Sequence, residues 1–242
     1  EAWDPTLLDA EGNVVGEPTG QNHSSMFFDY DDDGDPDLFV ANDGDRFRLY
    51  RNDSTSQGVV FTEVATAMGI DQVGAWMGFA IGDIDGDADL DVFATNMGYH
   101  PSLRPPMRGP SGSCEYHMRF VWGTCLHYLL RNDGVRDAPG LGTVGVFVNA
   151  ASVTDVVPSP YMPPESLDPT LIHELQQVPT GLAAYDFGFG ATFFDFDNDG
   201  CQDLYWLGSN ISSGAGPGGD VFPGAGRLLR GDCAGGFTDV TV

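Results

Sequence analysis

The sequence predicts an all-β protein assembled from repeated four-stranded units, and three observations predict it. Glycine (33 residues), proline (16) and aromatics (12%) are plentiful in 242 residues, which favours many short strands and turns over long helices. Three aspartate-rich windows, 29–37, 83–91 and 195–203, share one spacing and are each followed by a strand-like apolar run. An Arg-x-Asp triplet and a Phe-led strand then follow every window in the same order.

Charge comes first among the constraints. The formal net charge is −26, from 36 acidic against 10 basic residues, and every basic residue is arginine. Such a balance repels nucleic acid and anionic membrane surfaces, and it favours cations where the acids cluster. No apolar run approaches the roughly 20 residues of a membrane-spanning helix.

The acids do cluster. The windows read DYDDDGDPD, DIDGDADLD and DFDNDGCQD, with Asp at loop positions 1, 3, 5 and 9 of each. Apolar or small residues bracket each window, "MFF" and "LFVAN" around the first, so these are not solvated tails. Ca²⁺ takes six to eight oxygens in a compact shell, and the short stem of Asp holds its carboxylate close to a tightly turning backbone. The expected side-chain ligands are Asp29, Asp31, Asp33 and Asp37, then Asp83, Asp85, Asp87 and Asp91, then Asp195, Asp197, Asp199 and Asp203. Asp35, Asp89 and Cys201 stand at the seventh position and are expected to donate a backbone carbonyl, which explains why a cysteine is tolerated there. Up to three Ca²⁺ ions are expected. Mg²⁺ demands a rigid octahedron and is disfavoured. Gly34 and Gly200 sit at the sixth, sharp-turn position; Ala88 replaces glycine in the second loop, which predicts strain there. The twelfth positions are Val40, Ala94 and Trp206, not the bidentate acid of an EF-hand, and the flanks read as strands.

The markers set the repeat. RLYRND (48–53) and FTEVA (61–65) follow the first window, HYLLRND (127–133) and FVNAA (147–151) the second, and GRLLRGD (226–232) and FTDVT (237–241) the third. The first two windows are 54 residues apart and the next two 112, with no fourth marker set between, so the middle repeat carries insertions. About four short strands in roughly 54 residues is the size of one β-propeller blade. The repeats are expected at about 22–70, 75–156 and 185–242, in one domain spanning 1–242. Three blades are fewer than the roughly four to eight of a closed ring, so a larger or partner-completed propeller, or a fragment of one, is expected.

At these residues the chain resembles the FG-GAP/VCBS family of calcium-binding propeller repeats, found in integrin alpha-subunit heads and in secreted bacterial proteins. GFGATFFDFDNDGCQDLYWLGSN is close to the family pattern. The combination of DYDDDGDPDLFVAND, RLYRND and FTEVATAMGI is most similar to the cartilage-acidic-protein-type branch. The resemblance implies a propeller with Ca²⁺ in loops between adjacent strands of a blade; it implies no single activity.

Two irregular insertions individualise the chain. Residues 99–126 are rich in proline, aromatics and methionine; residues 157–180 contain Asp168-Pro169, a helix-start signal before TLIHELQQ. The even cysteine count and local placement suggest disulfides Cys114–Cys125 and Cys201–Cys233. A zinc site from Cys114, His117, Cys125 and His127 is the sharper alternative, although its spacing fits no standard pattern. The Gly-rich segment 214–226 lacks the context of a phosphate loop and reads as a flexible rim loop. Sequons stand at Asn22, Asn52 and Asn210.

The expected function is a secreted, non-catalytic, calcium-stabilised β-propeller, extracellular or periplasmic, that binds or scaffolds another protein subunit or extracellular macromolecule through 99–126 and 157–180. No nucleic-acid partner and no membrane span are expected. One alternative is the propeller of a polysaccharide-active enzyme or lectin, with Trp76, Trp122 and Trp206 as candidate sugar-stacking residues. The other is a structural subunit of a larger assembly. The triplet Arg230-Gly231-Asp232 resembles an integrin ligand, but it aligns with Arg51-Asn52-Asp53 and Arg131-Asn132-Asp133 and reads as a repeat marker.

Overall fold

The computed structural model describes residues 21–71, 73–96, 127–151, 153–158, 177–181, 188–212, 220–223 and 226–241. Three four-stranded antiparallel sheets dominate these residues. The first runs β1 (Gln21–Phe28), β2 (Asp37–Arg46), β3 (Arg48–Asn52) and β4 (Phe61–Glu63), followed by the single-turn helix α1 (Ala65–Met68). The second runs β5 (Val73–Gly82), β6 (Asp91–Asn96), β7 (Tyr128–Ala138) and β8 (Gly142–Asn149). Two short strands follow as a hairpin, β9 (Val153–Pro158) with β10 (Gln177–Gly181). The third sheet is β11 (Ala191–Phe194), β12 (Asp203–Trp206), β15 (Arg227–Gly231) and β16 (Phe237–Asp239). Between its second and third strands a hairpin inserts, β13 (Ser209–Ser212) with β14 (Asp220–Pro223). The end of β2 also pairs with the start of β5, at Asp43↔Ala75 and Arg46↔Val73, joining the first two sheets.

Each sheet is a blade in which consecutive strands are neighbours and the Asp loop joins the first two. The hydrophobic core lies between blades. One seam joins the first and second blades, with Phe28, Tyr30, Phe39 and Leu49 meeting Phe79, Leu130, Val144 and Phe147. A second seam joins the second and third, with Ile84, Phe93 and Leu129 against Leu204, Trp206 and Leu229. Strand alternation sends successive side chains to opposite faces, so one blade feeds both seams: Phe93 faces the third blade while its neighbours Val92 and Ala94 face the first. Burying each large apolar side chain contributes roughly 1.5–3 kcal/mol, so the seams rather than isolated blades carry the stability.

The blades approach closely where side chains are absent. A Cβ on Gly78 of β5 would lie 2.3 Å from the carbonyl oxygen of Phe189, and one on Gly145 of β8 would lie 2.8 Å from Met68 Cε. The Phe-led strands end alike in all three blades. Val64, Ala150 and Val240 donate to the carbonyls of Leu49, Leu129 and Leu228 at 2.9, 2.7 and 2.9 Å. Glu63, Asn149 and Asp239 each accept the N–H two residues on, at 3.1, 3.1 and 3.0 Å.

Three expectations change. The Gly-rich segment 214–226 is not all loop, because Asp220–Pro223 pairs with Ser209–Ser212 as β14. The Arg-x-Asp triplets are not simple turns. Arg131-Asn132-Asp133 lies inside β7, where a bulge between Asn132 and Val135 is relieved by Gly134 at φ 89°. Trp76 and Trp206 are fully buried in the seams, because the large apolar rings fill the space between blades, so neither is available for stacking on a sugar. Trp122, Cys114, Cys125, His117, all but the first two and last four residues of 157–180, and all of 99–126 lie outside the described residues.

Candidate metal centres

The three Asp loops have one backbone path. Positions 4 and 6 are left-handed in each: Asp32 at φ 55° and Gly34 at 94°, Gly86 at 79° and Ala88 at 77°, Asn198 at 60° and Gly200 at 92°. The second loop therefore carries its glycine two residues early and leaves an alanine in the left-handed conformation that glycine takes in the other two.

Hydrogen bonds inside the loops repeat as well. The first aspartate caps the turn: Gly34 N donates to Asp29 Oδ2 at 2.9 Å, Ala88 N to Asp83 Oδ2 at 3.1 Å and Gly200 N to Asp195 Oδ2 at 3.0 Å. The fifth-position carboxylates, Asp33, Asp87 and Asp199, accept the N–H of Asp35, Asp89 and Cys201 at 2.9, 2.9 and 2.8 Å.

The ninth-position aspartate does something the spacing did not reveal. Asp37, Asp91 and Asp203 are fully buried, and each bridges two backbone segments. Asp37 accepts from Tyr30 N at 3.1 Å and Asn52 N at 2.7 Å. Asp91 accepts from Ile84 N and Asn132 N, both at 2.8 Å. Asp203 accepts from Phe196 N at 2.8 Å and Gly231 N at 2.9 Å. The second donor is always the middle residue of the Arg-x-Asp triplet. The two sequence markers of each repeat are thus one structural unit, and the carboxylate is its clasp.

That clasp explains the triplet's middle residue, which is not left-handed in any copy. Asn52 and Asn132 spend their side-chain amides on the Pro36 carbonyl at 3.1 Å and the Tyr30 carbonyl at 2.9 Å. In the third copy a Cβ on Gly231 would sit 2.1 Å from the Gln202 carbonyl oxygen, so only glycine fits. The flanking residues pair in the first two copies, Arg51 Nε with Asp53 at 2.8 Å and Arg131 Nε with Asp133 at 2.7 Å. In the third, Asp232 Oδ1 instead accepts Ala234 N and Gly236 N, each at 2.9 Å, and Cys233 is disulfide-bonded to Cys201 across 4.8 Å between Cα atoms.

Carboxylate oxygens converge in each loop. Asp29, Asp31 and Asp33 form one group, Asp83, Asp85 and Asp91 a second, and Asp195, Asp197 and Asp199 a third; within each, one oxygen per residue lies within 4.8 Å of the others. Asp37, Asp87 and Asp203 are not members of these triads. Burial, then the Asp33 and Asp29 charges, push the Asp31 carboxyl above its ordinary range. Burial and Asp87 do the same to Asp85 and Asp89. Asp37 and Asp91 are each pushed up to about 6 by burial; their N–H donors pull back and neighbouring aspartates push further. Asp31 Oδ1 and Asp85 Oδ1 are buried with no hydrogen-bond partner. Converging anionic oxygens, some dry and unpartnered, are the donor set a hard divalent cation needs. The residues present therefore fit Ca²⁺.

His127, a member of the alternative zinc set, is buried between Phe93 and Trp206, and its Nδ1 accepts the Asn96 N–H at 3.0 Å.

Residues 29–94 match the FG-GAP-like repeat. The match opens at the first Asp loop, takes in the whole second loop and closes in β6. A search of curated proteins finds no match.

Proposed function

We propose that this protein is a secreted, Ca²⁺-stabilised module of the β-propeller type that binds or scaffolds another macromolecule and is not itself an enzyme. The observation that carries it is the triplicate loop, in which the same backbone path and internal hydrogen bonds bring three carboxylates together in three successive blades. A Ca²⁺ ion would be held by Asp29, Asp31 and Asp33, by Asp83, Asp85 and Asp91, and by Asp195, Asp197 and Asp199, with the seventh-position carbonyls as further donors. Its chemistry there is electrostatic: it neutralises carboxylates that otherwise repel across a few ångströms. The acids are thereby accounted for without a catalytic role.

The Cys201–Cys233 disulfide supports an oxidising compartment outside the cytoplasm. Among the described residues no helix is long and apolar enough to cross a membrane. The contact surface assigned to 99–126 and 157–180 is retained as part of this proposal. Burial of Trp76 and Trp206 weighs against the polysaccharide reading.

Calorimetric titration of chelated protein with Ca²⁺, paired with thermal melts, tests the reading. Saturable binding of up to three ions and a rise in Tm are expected. Unchanged melting after thorough chelation and Ca²⁺ readdition would sink it.

A further inference from the structure

Of the three Asp loops only the third contains a cysteine, and that residue is covalently tied to the turn following its triplet. Cys201 stands at loop position 7, where its N–H donates to Asp199 Oδ1 at 2.8 Å and its carbonyl is an expected ligand of the ion. Its side chain is bonded to Cys233, at the head of the turn between β15 and β16, across a sequence separation of 32. Two residues before Cys233, Gly231 N donates to Asp203 of the same loop at 2.9 Å. Loop and turn therefore meet at two points, one a hydrogen bond and the other a covalent bond.

The far end of the disulfide is a braced turn. Asp232 Oδ1 accepts Ala234 N and Gly236 N, each at 2.9 Å, and Asp232 N donates to the Gly236 carbonyl at 3.0 Å. Gly235 N donates to the Ile84 carbonyl of the second blade at 3.2 Å, and a Cβ on Gly235 would meet Asp85 Cβ at 3.6 Å. Cys233 itself is left-handed at φ 59°, a conformation disfavoured for a residue with a Cβ. The first two loops carry Asp35 and Asp89 at position 7, and their triplets close on the Arg51–Asp53 and Arg131–Asp133 pairs. In the third triplet Asp232 is spent on its own turn, and the disulfide supplies the tie. A donor held by such a tie loses less freedom when it binds, so the bond pre-organises position 7.

We propose that the Cys201–Cys233 disulfide is a redox control on the third calcium site: closed, it holds the position-7 carbonyl in place for the ion, and opened, it frees position 7 and weakens that site alone. This rests on the calcium reading above. Opening breaks the S–S bond by exchange with a dithiol reductant, which delivers two electrons and two protons, leaves two thiols on the chain and closes to its own disulfide. Cys233 is exposed and Cys201 half-buried, so a small thiol reaches the pair without unfolding the blade. Linkage makes the effect reciprocal: Ca²⁺ in the third loop must favour the closed disulfide by the same factor that opening costs in Ca²⁺ affinity.

The test is a redox equilibrium of the full chain in mixtures of reduced and oxidised dithiothreitol, in saturating Ca²⁺ and in chelator. Peptide mass spectrometry after alkylation reads Cys201 and Cys233 separately from the other cysteines. In wild type, Ca²⁺ should shift the equilibrium toward the disulfide by about 5- to 150-fold, the usual range of coupling between two sites. Asp197→Asn, in the third triad, should abolish the shift. Asp31→Asn, at the same position of the first loop, should leave it. Equal loss of the shift in both variants would make it a fold-wide effect of calcium and overturn the proposal, as would an equilibrium that Ca²⁺ does not move. Calorimetry of the oxidised wild type separates the two readings: no Ca²⁺ binding there sinks the calcium reading and this one with it, whereas binding without a redox shift sinks this one alone.

Discussion

Ala88 is the residue at which this protein departs from its own repeat, and replacing it with glycine has a calculable effect. Ala88 sits at φ 77°, where Gly34 and Gly200 sit at 94° and 92° in the other loops. Holding an L-residue left-handed costs roughly 1–2 kcal/mol, from the clash of Cβ with the backbone carbonyl. Glycine removes that cost but gives the unfolded chain more freedom, which offsets roughly 0.4–1 kcal/mol. Ala88→Gly should then stabilise the fold by roughly 0.5–1 kcal/mol, about 1–4 °C in Tm for a domain of this size. The Ala88 N–H bond to Asp83 needs only the backbone, so it survives the change. Thermal and urea unfolding, in chelator and in Ca²⁺, would measure it. Gly200→Ala is the mirror experiment and should lose stability by a similar amount. Ala88→Gly without effect, together with a tolerated Gly200→Ala, would refute the strain argument.

Three further outcomes follow from the same geometry. Asp37 and Asp91 have folded-state pKa values pushed to about 6, above their ordinary value of 3.8, so their protonated forms favour folding. Their contribution is complete below about pH 4 and is lost as pH rises through about 6. Chelated protein should accordingly melt lower at pH 7.5 than at pH 5, with a larger Ca²⁺-induced rise in Tm at the higher pH; the opposite order in chelator would contradict it. Gly231→Ala, which forces a Cβ to 2.1 Å from the Gln202 carbonyl, should break the Asp203 clasp and cost roughly 1–3 kcal/mol by leaving a buried carboxylate short of a donor, measured by urea denaturation. Replacing Cys201 and Cys233 by serine opens a closure across a sequence separation of 32, for which chain entropy predicts a loss of about 3–4 kcal/mol in the same assay.

The aspartate spacing was the most legible feature of the chain because a tight loop around a cation leaves little freedom: carboxylates must fall at alternate positions and left-handed turns at positions 4 and 6. The Phe-led strands and the Arg-x-Asp triplets were legible as markers, since they recur in order. What they do was not. That Asp37, Asp91 and Asp203 clasp the triplet's backbone depends on two strands far apart in sequence being brought side by side, Asp91 and Asn132 for example. Nor did the motif show why the third triplet reads Arg-Gly-Asp. A side chain at Gly231 would collide with Gln202, and that collision exists only once β12 and β15 pair.

Local chemistry was therefore decided by the sequence alone: the all-β repeat, the three acidic loops and the strained alanine all rest on short-range sterics and charge. The tertiary structure alone decided which residues are core. Trp76 and Trp206 read as candidate ligand-stacking rings in the linear chain, and became seam filling once blades stacked face to face. Phe27 and Phe194, on β1 and β11, are large and apolar yet 61% and 41% exposed. Burial depends on what lies across the blade face, and no local pattern along a strand records its neighbour.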